Sequence, residues 1–178
     1  NAVATQLEGI PDNDKNAIGA GRIAALALLD AGDIRNSLDD HALARSTWNR
    51  ALQQHAELAA RAPDNPRVQA DHAHALRRVG TAEVDRDLDT ALHHMLASRD
   101  LFQQRYDADT THDLAHRDLG WSHYYVGWVA AQQPDRDLAL QSLDNGWRIV
   151  IVRCSHNPDD ALARDDVAQY LSGLIELH

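Results

Sequence analysis

The sequence predicts an all-α fold of about seven helices, arranged as stacked antiparallel hairpins. Three observations predict it. Ala, Leu, Asp, Arg, His and Gln dominate the 178 residues, and alternating runs rich in Val, Ile and Thr are nearly absent, which favours helix over sheet. Helix start and stop signals recur at short, regular intervals. A pattern of small and large residues repeats about every 47 positions, the mark of an array whose units bury their apolar faces on one another.

The elements follow in order. A first helix is expected from about Asp14 to Ala31. Asp39 or Asp40 caps a second, ending near Arg61 ahead of Ala62-Pro63-Asp64. Asn65-Pro66 reads as an N-cap followed by proline in the first turn, where a missing N–H costs nothing. Asp87 or Asp89 opens the fourth helix, which runs to about Tyr106. Thr110 or Thr111 caps the fifth, reaching about Gln133. Pro134-Asp135 starts the sixth, and Asn157-Pro158 starts a final helix to Leu177. The turns between them are short, so neighbours run antiparallel.

Asp71, Asp118 and Asp165 stand 47 residues apart, and Gly32, Gly80 and Gly127 recur at 48 and 47. Eleven or twelve residues after each glycine comes a small–x3–large–x2–small stripe: Ala44, Trp48, Ala51; Ala91, Met95, Ser98; Ala139, Leu143, Gly146. Residues at that spacing share one helix face and let a neighbouring helix approach closely around the large knob. Ala31-Gly32 with the first stripe, and Val79-Gly80 and Val126-Gly127 with theirs, resemble the second half of the tetratricopeptide-repeat signature. The resemblance covers roughly residues 14 to 175. It departs from the family in its 47-residue period, against 34, and in a displaced closing proline. It implies a right-handed α-α superhelix with repeats at about 14–62, 63–109 and 110–156 and an unpaired helix at 157–177. It also implies long repeats like those appended to bacterial signalling proteins. Residues 14–178 then form one domain. Residues 1–13 are expected to be disordered, or in part left from a cloning tag, in a fragment of a larger protein.

Composition narrows the function. Seventeen basic against 27 acidic residues give a net charge of −10, which argues against nucleic acid and anionic membrane as partners. No apolar run approaches the ~20 residues that span a bilayer. The single cysteine, Cys154, suits a reducing compartment, and the cytoplasm is the expected location. Gly19-Ala20-Gly21-Arg22-Ile23-Ala24 fits a dinucleotide-binding pattern, but no buried strand precedes it, so small residues inside a packed helix are the simpler reading. His112, His116 and His123 share a stripe, yet the outer two lie about 16 Å apart along a helix, too far for one ion. The histidines are read as solvated or capping, and Asp159-Asp160 and Asp165-Asp166 as first-turn charges. No catalytic residue, no metal site and no cofactor is expected.

Four of the nine aromatic residues fall at Trp121, Tyr124, Tyr125 and Trp128. By the tetratricopeptide resemblance, the groove-lining positions stand six and three before the repeat glycine and one after it. From Gly127 these are Trp121, Tyr124 and Trp128; from Gly80, His74, Arg77 and Thr81; from Gly32, Leu26, Leu29 and Asp33. Trp121 and Trp128 suit a buried core equally well, while Tyr124 and Arg77 favour a groove because their polar ends need water or a ligand. Trp48 and Trp147 read as packing between repeats. Arg148 and Arg153 are expected to snorkel at the helix surface. The function expected is a non-enzymatic interaction module that holds a peptide or helix of a partner protein in a concave groove. The alternatives are a small-molecule or metal sensor using His74, His116 or His123, and a structural spacer that forms a homodimer through Leu171, Leu174 and Ile175 of the end helix.

Overall fold

The computed structural model describes residues 12–134, 136–156 and 158–176. Those residues form seven α-helices: α1 (Asp12–Ser37), α2 (His41–Arg61), α3 (Pro66–Glu83), α4 (Leu88–Ala108), α5 (Asp113–Ala130), α6 (Arg136–His156) and α7 (Ala161–Glu176). No strand occurs among the described residues. The all-α class and the helix count are as the sequence predicts. The expectations for residues 1–11 and for Asn157 and Asp135 as helix starts lie outside the described residues.

Several boundaries differ, each for a physical reason. α1 continues past Gly32 to Ser37. Gly32 lies inside the helix, and the Trp48 indole stands where a Cβ would be, so the glycine marks a close approach. The reversal comes later, at Asp39, whose φ of 61° places it in the left-handed region. Asp40 then caps α2, its carboxylate accepting the Leu43 amide. Asn65 caps α3 as expected, and Asp87 caps α4 by accepting the amides of Asp89 and Thr90. The fifth helix is capped by His112 and not by a threonine: its Nδ1 accepts the Ala115 amide. Thr111 instead donates its hydroxyl to Asp109 in the preceding turn. Asp160 accepts the Leu162 amide at the start of α7, so Pro158 lies ahead of the helix and not in its first turn.

The chain divides into two compact units, with the boundary between Ala82 and Glu83, inside the second expected repeat. In the first unit, α1 and α2 form a hairpin. Leu29, Ala44, Trp48 and Ala51 form a core with Ala75 and Val79 of α3. Arg22 of α1 pairs with Asp71 of α3 at 2.6 Å. Asp33 accepts both the Trp48 indole N–H (3.0 Å) and the Arg78 guanidinium (2.9 Å).

In the second unit, α4 and α5 pack together around Val84, Ala91, Met95, Val126 and Val129, and Leu138 of α6 packs against that cluster. Gly127 of α5 receives Leu143 of α6, as Gly32 receives Trp48. In both hairpins, therefore, the repeat glycine is the hole for the large residue of the following stripe. α7 lies against α6, with Gly146 under the Tyr170 hydroxyl and Gly173 under the Tyr124 ring. A side chain at either position would hold the helices apart.

Candidate functional site

The centre of the second unit is a buried carboxylate. Asp166 of α7 is 1% exposed and accepts from three side chains on two helices. Arg117 of α5 binds it through Nε (2.8 Å) and Nη2 (3.0 Å), Trp121 of α5 through its indole N–H (3.0 Å), and Arg153 of α6 through Nη1 (2.6 Å). Arg153, 4% exposed, also pairs with Asp113 (2.8 Å) and Asp160 (3.2 Å). The hydrogen bond from Arg153 holds the Asp113 carboxyl below its ordinary range. Two expectations are corrected here. Arg153 does not snorkel, because a guanidinium with carboxylates on three sides is satisfied indoors; Arg148 stays at the surface, paired with Asp144. Asp166 is no solvated first-turn charge. It also displaces Asp165 from the periodic set: Asp71 pairs with Arg22 and Asp118 with Arg105, whereas Asp165 is exposed and, among the described residues, accepts from Gln169.

The aromatic residues of α5 meet α7. Tyr170 is fully buried and donates its hydroxyl to the Leu143 carbonyl. Its ring centroid lies 5.2 Å from Tyr124, 5.8 Å from Trp121 and 6.1 Å from Trp147. Trp121 and Tyr124 are half-buried and stand edge to face at 5.4 Å. Trp128 is half-buried beside Tyr125 and packs on the α4–α5 core. The aromatic stripe is thus brought together as the sequence suggests, but the chain's own last helix covers much of it. His74 and Arg77 are half-buried on α3 in the first unit, and Thr81 is exposed there, donating its hydroxyl to the Arg77 carbonyl. Leu29 of the first-repeat set is core and Asp33 is ion-paired, so neither faces an open groove.

Of the ten described histidines, four are exposed, among them the cap His112, and three are buried against expectation. His55, His116 and His123 are buried. His116 donates through Nε2 to the Thr110 carbonyl at 2.6 Å and stands edge-on to Tyr106. Burial, aided by Arg99, lowers the His123 imidazole to about 4. Among the described residues, no three of His, Cys, Asp and Glu are grouped so as to hold a metal ion. No helix of the described residues is long and apolar enough to cross a membrane.

Among the clefts of the second unit, one is lined mainly by apolar side chains. A cleft of about 480 Å³ runs between α6 and α7, lined by Ala139, Leu140, Leu143, Trp147 and Leu174, with Arg136 and Asp144 among its walls. Leu140 is 63% exposed and Ile175 of α7 is 74% exposed. The spacing Leu140, Leu143, Trp147 on α6, three and four residues apart, is the sequence signal that could have marked this stripe.

No family model matches the chain, and no curated protein matches it. Among solved structures, a chain of the DHF119 filament is similar, at 13% identity over 94% of this chain and 96% of that one, with a TM-score of 0.40. A likeness that slight carries no argument.

Proposed function

We propose that this chain is a non-catalytic protein-interaction module of tetratricopeptide-like hairpins, part of a larger bacterial signalling or regulatory protein in the cytoplasm, holding a peptide or helix of a partner. The observation that carries the reading is the distribution of exposed apolar side chains. Of eleven large hydrophobic residues exposed among the described residues, six lie on α6 and α7. One of them, Leu140, lines the α6–α7 cleft with Leu143, Trp147 and Leu174, and Arg136 and Asp144 stand in its walls; an apolar cleft with polar residues around it is the usual signature of a docking site. The ionisable groups that would have to perform chemistry have structural tasks instead: Asp87, Asp109 and Asp160 in turns and caps, Asp113 and Asp166 on arginines. His74, Arg77, Thr81 and the half-buried edges of Trp121, Tyr124 and Trp128 are secondary contact positions in this reading.

A selection from displayed peptides of about twenty residues, long enough for one helix, tests it. Peptides retained by the full chain should be lost from a Leu140→Asp, Ile175→Asp variant and kept by Ile23→Asp, which alters an exposed residue of the first unit. If no peptide depends on the α6–α7 face, the reading fails.

A further inference from the structure

We infer that the α6–α7 cleft receives one amphipathic helix of a partner protein, built like α6 and offering an acidic residue to Arg136 and a basic one to Asp144. This inference rests on the interaction-module reading and names the class of partner. The argument is internal to the second unit. Its core between α4 and α5 is completed by a third helix, α6, through Leu138. Shifted by 48 residues, that core becomes the cleft. Ala91, Leu92, Met95 and Val126 of the core correspond to Ala139, Leu140, Leu143 and Leu174 of the cleft wall. Val84 corresponds, at 47, to Ala131, which also lines it.

The two places differ first in filling: Leu138 of α6 packs on the first, and the second carries the cleft. Position by position, Met95 is buried where Leu143 is half-buried, and Leu92 is half-buried where Leu140 is 63% exposed, while Ala91 and Ala139 are both buried. The cleft therefore continues, by one repeat, an interface the chain already makes, and the occupant of that interface is a helix with a leucine-sized knob. Two changes give the new copy its own specificity. Leu88 and Leu96, which pack against the filled core, correspond to Arg136 and Asp144. Eight residues on one helix place these charges ~12 Å apart, so a partner helix meets both only with opposite charges two turns apart. Asp144 already accepts from Arg148, which is exposed and can yield to a partner's base.

The probe is a fluorescein-labelled peptide of residues 136–156, the helix that fills the equivalent place, titrated into the full chain and read by anisotropy. Saturable binding is expected. It should weaken at least tenfold with Leu138→Asp in the peptide or Leu140→Asp in the chain, and severalfold with Arg136→Glu plus Asp144→Lys in the chain. Both chain substitutions fall at exposed positions, and circular dichroism checks that the helices persist. Absence of saturable binding, or binding that ignores Leu140→Asp, overturns the inference. So does sedimentation at twice 19.7 kDa that reverts to the monomer with Leu140→Asp, because a second copy then fills the cleft. If displayed peptides still select this face while residues 136–156 do not bind, the module reading stands and the helix assignment falls.

Discussion

Asp166 shows how much one side chain can organise. A carboxylate removed from water is tolerable only while its acceptor sites are filled, and here two guanidinium groups and an indole N–H fill them. Asp166→Ala is expected to cost about 3–5 kcal/mol, because Arg153 is left buried with fewer counter-charges. Asp165→Ala, one residue away and exposed, should stay within about 0.5 kcal/mol. Urea unfolding of both variants checks the contrast, and equal losses would mean that the buried network contributes little. The sequence placed the periodic aspartate at 165 because helix pairs need not repeat by an identical count. The sequence suggests Leu171, Leu174 and Ile175 as the face of this helix, whereas Ala163, Asp166, Tyr170 and Gly173, spaced by three and four, form one buried stripe. A carboxylate within it reads as an error of register unless Arg117 and Arg153 are known to face it.

At the scale of elements, the recurring stripe was the informative signal. It foresaw close helix approaches, and the large residue does fill the glycine hole at Gly32 and Gly127. What it did not mark was the end of α1, which runs on to Ser37 and reverses at Asp39. Capping by His112 was missed because Thr is the commoner cap, and capping by Asp160 because Asn157-Pro158 offered an equally good start three residues earlier. The glycines now separate into testable kinds. Gly146→Ala should destabilise by about 1–3 kcal/mol, since its new methyl meets the Tyr170 hydroxyl, the Gly120 carbonyl at 2.8 Å and the His123 Cβ at 2.9 Å. Gly19→Ala, in α1 with nothing within 4 Å, should stabilise by roughly 0.5–1 kcal/mol through helix propensity alone. Denaturant midpoints of the two variants should move in opposite directions; a shared direction would refute the close-approach account.

Across the whole molecule, charge and histidine set the response to pH. Fold class was legible from composition and period, whereas the burial of histidines was not, because an imidazole has no sequence signal for its neighbours. Residues 83–178 hold eight basic and seventeen acidic side chains, against nine and ten in residues 1–82, so nearly all the negative charge belongs to the second unit. Burial lowers His55 and His72 in the first unit and His94 and His123 in the second. His55 is fully buried with neither ring nitrogen hydrogen-bonded, and the charges facing it are Asp71, His72 and Arg22; Arg99 and Asp100 face His123. The unfolded chain protonates its histidines near pH 6.5. Folded stability from these groups is therefore complete above that pH and is lost as the pH falls from 6.5 towards their lowered values, which for His123 is about 4. That one residue accounts for on the order of 2 kcal/mol after allowance for solvent screening. Asp87, Asp109 and Asp113, whose carboxyls are held below their usual range, lose their contributions only under more acid conditions, beneath this window. Urea midpoints should thus be level at neutral pH and fall steadily from pH 6.5 to 4.5, with a visibly shallower fall in His123→Leu. A flat profile over that interval, or an unchanged slope in the variant, would mean that the interior histidines already carry protons in the folded chain.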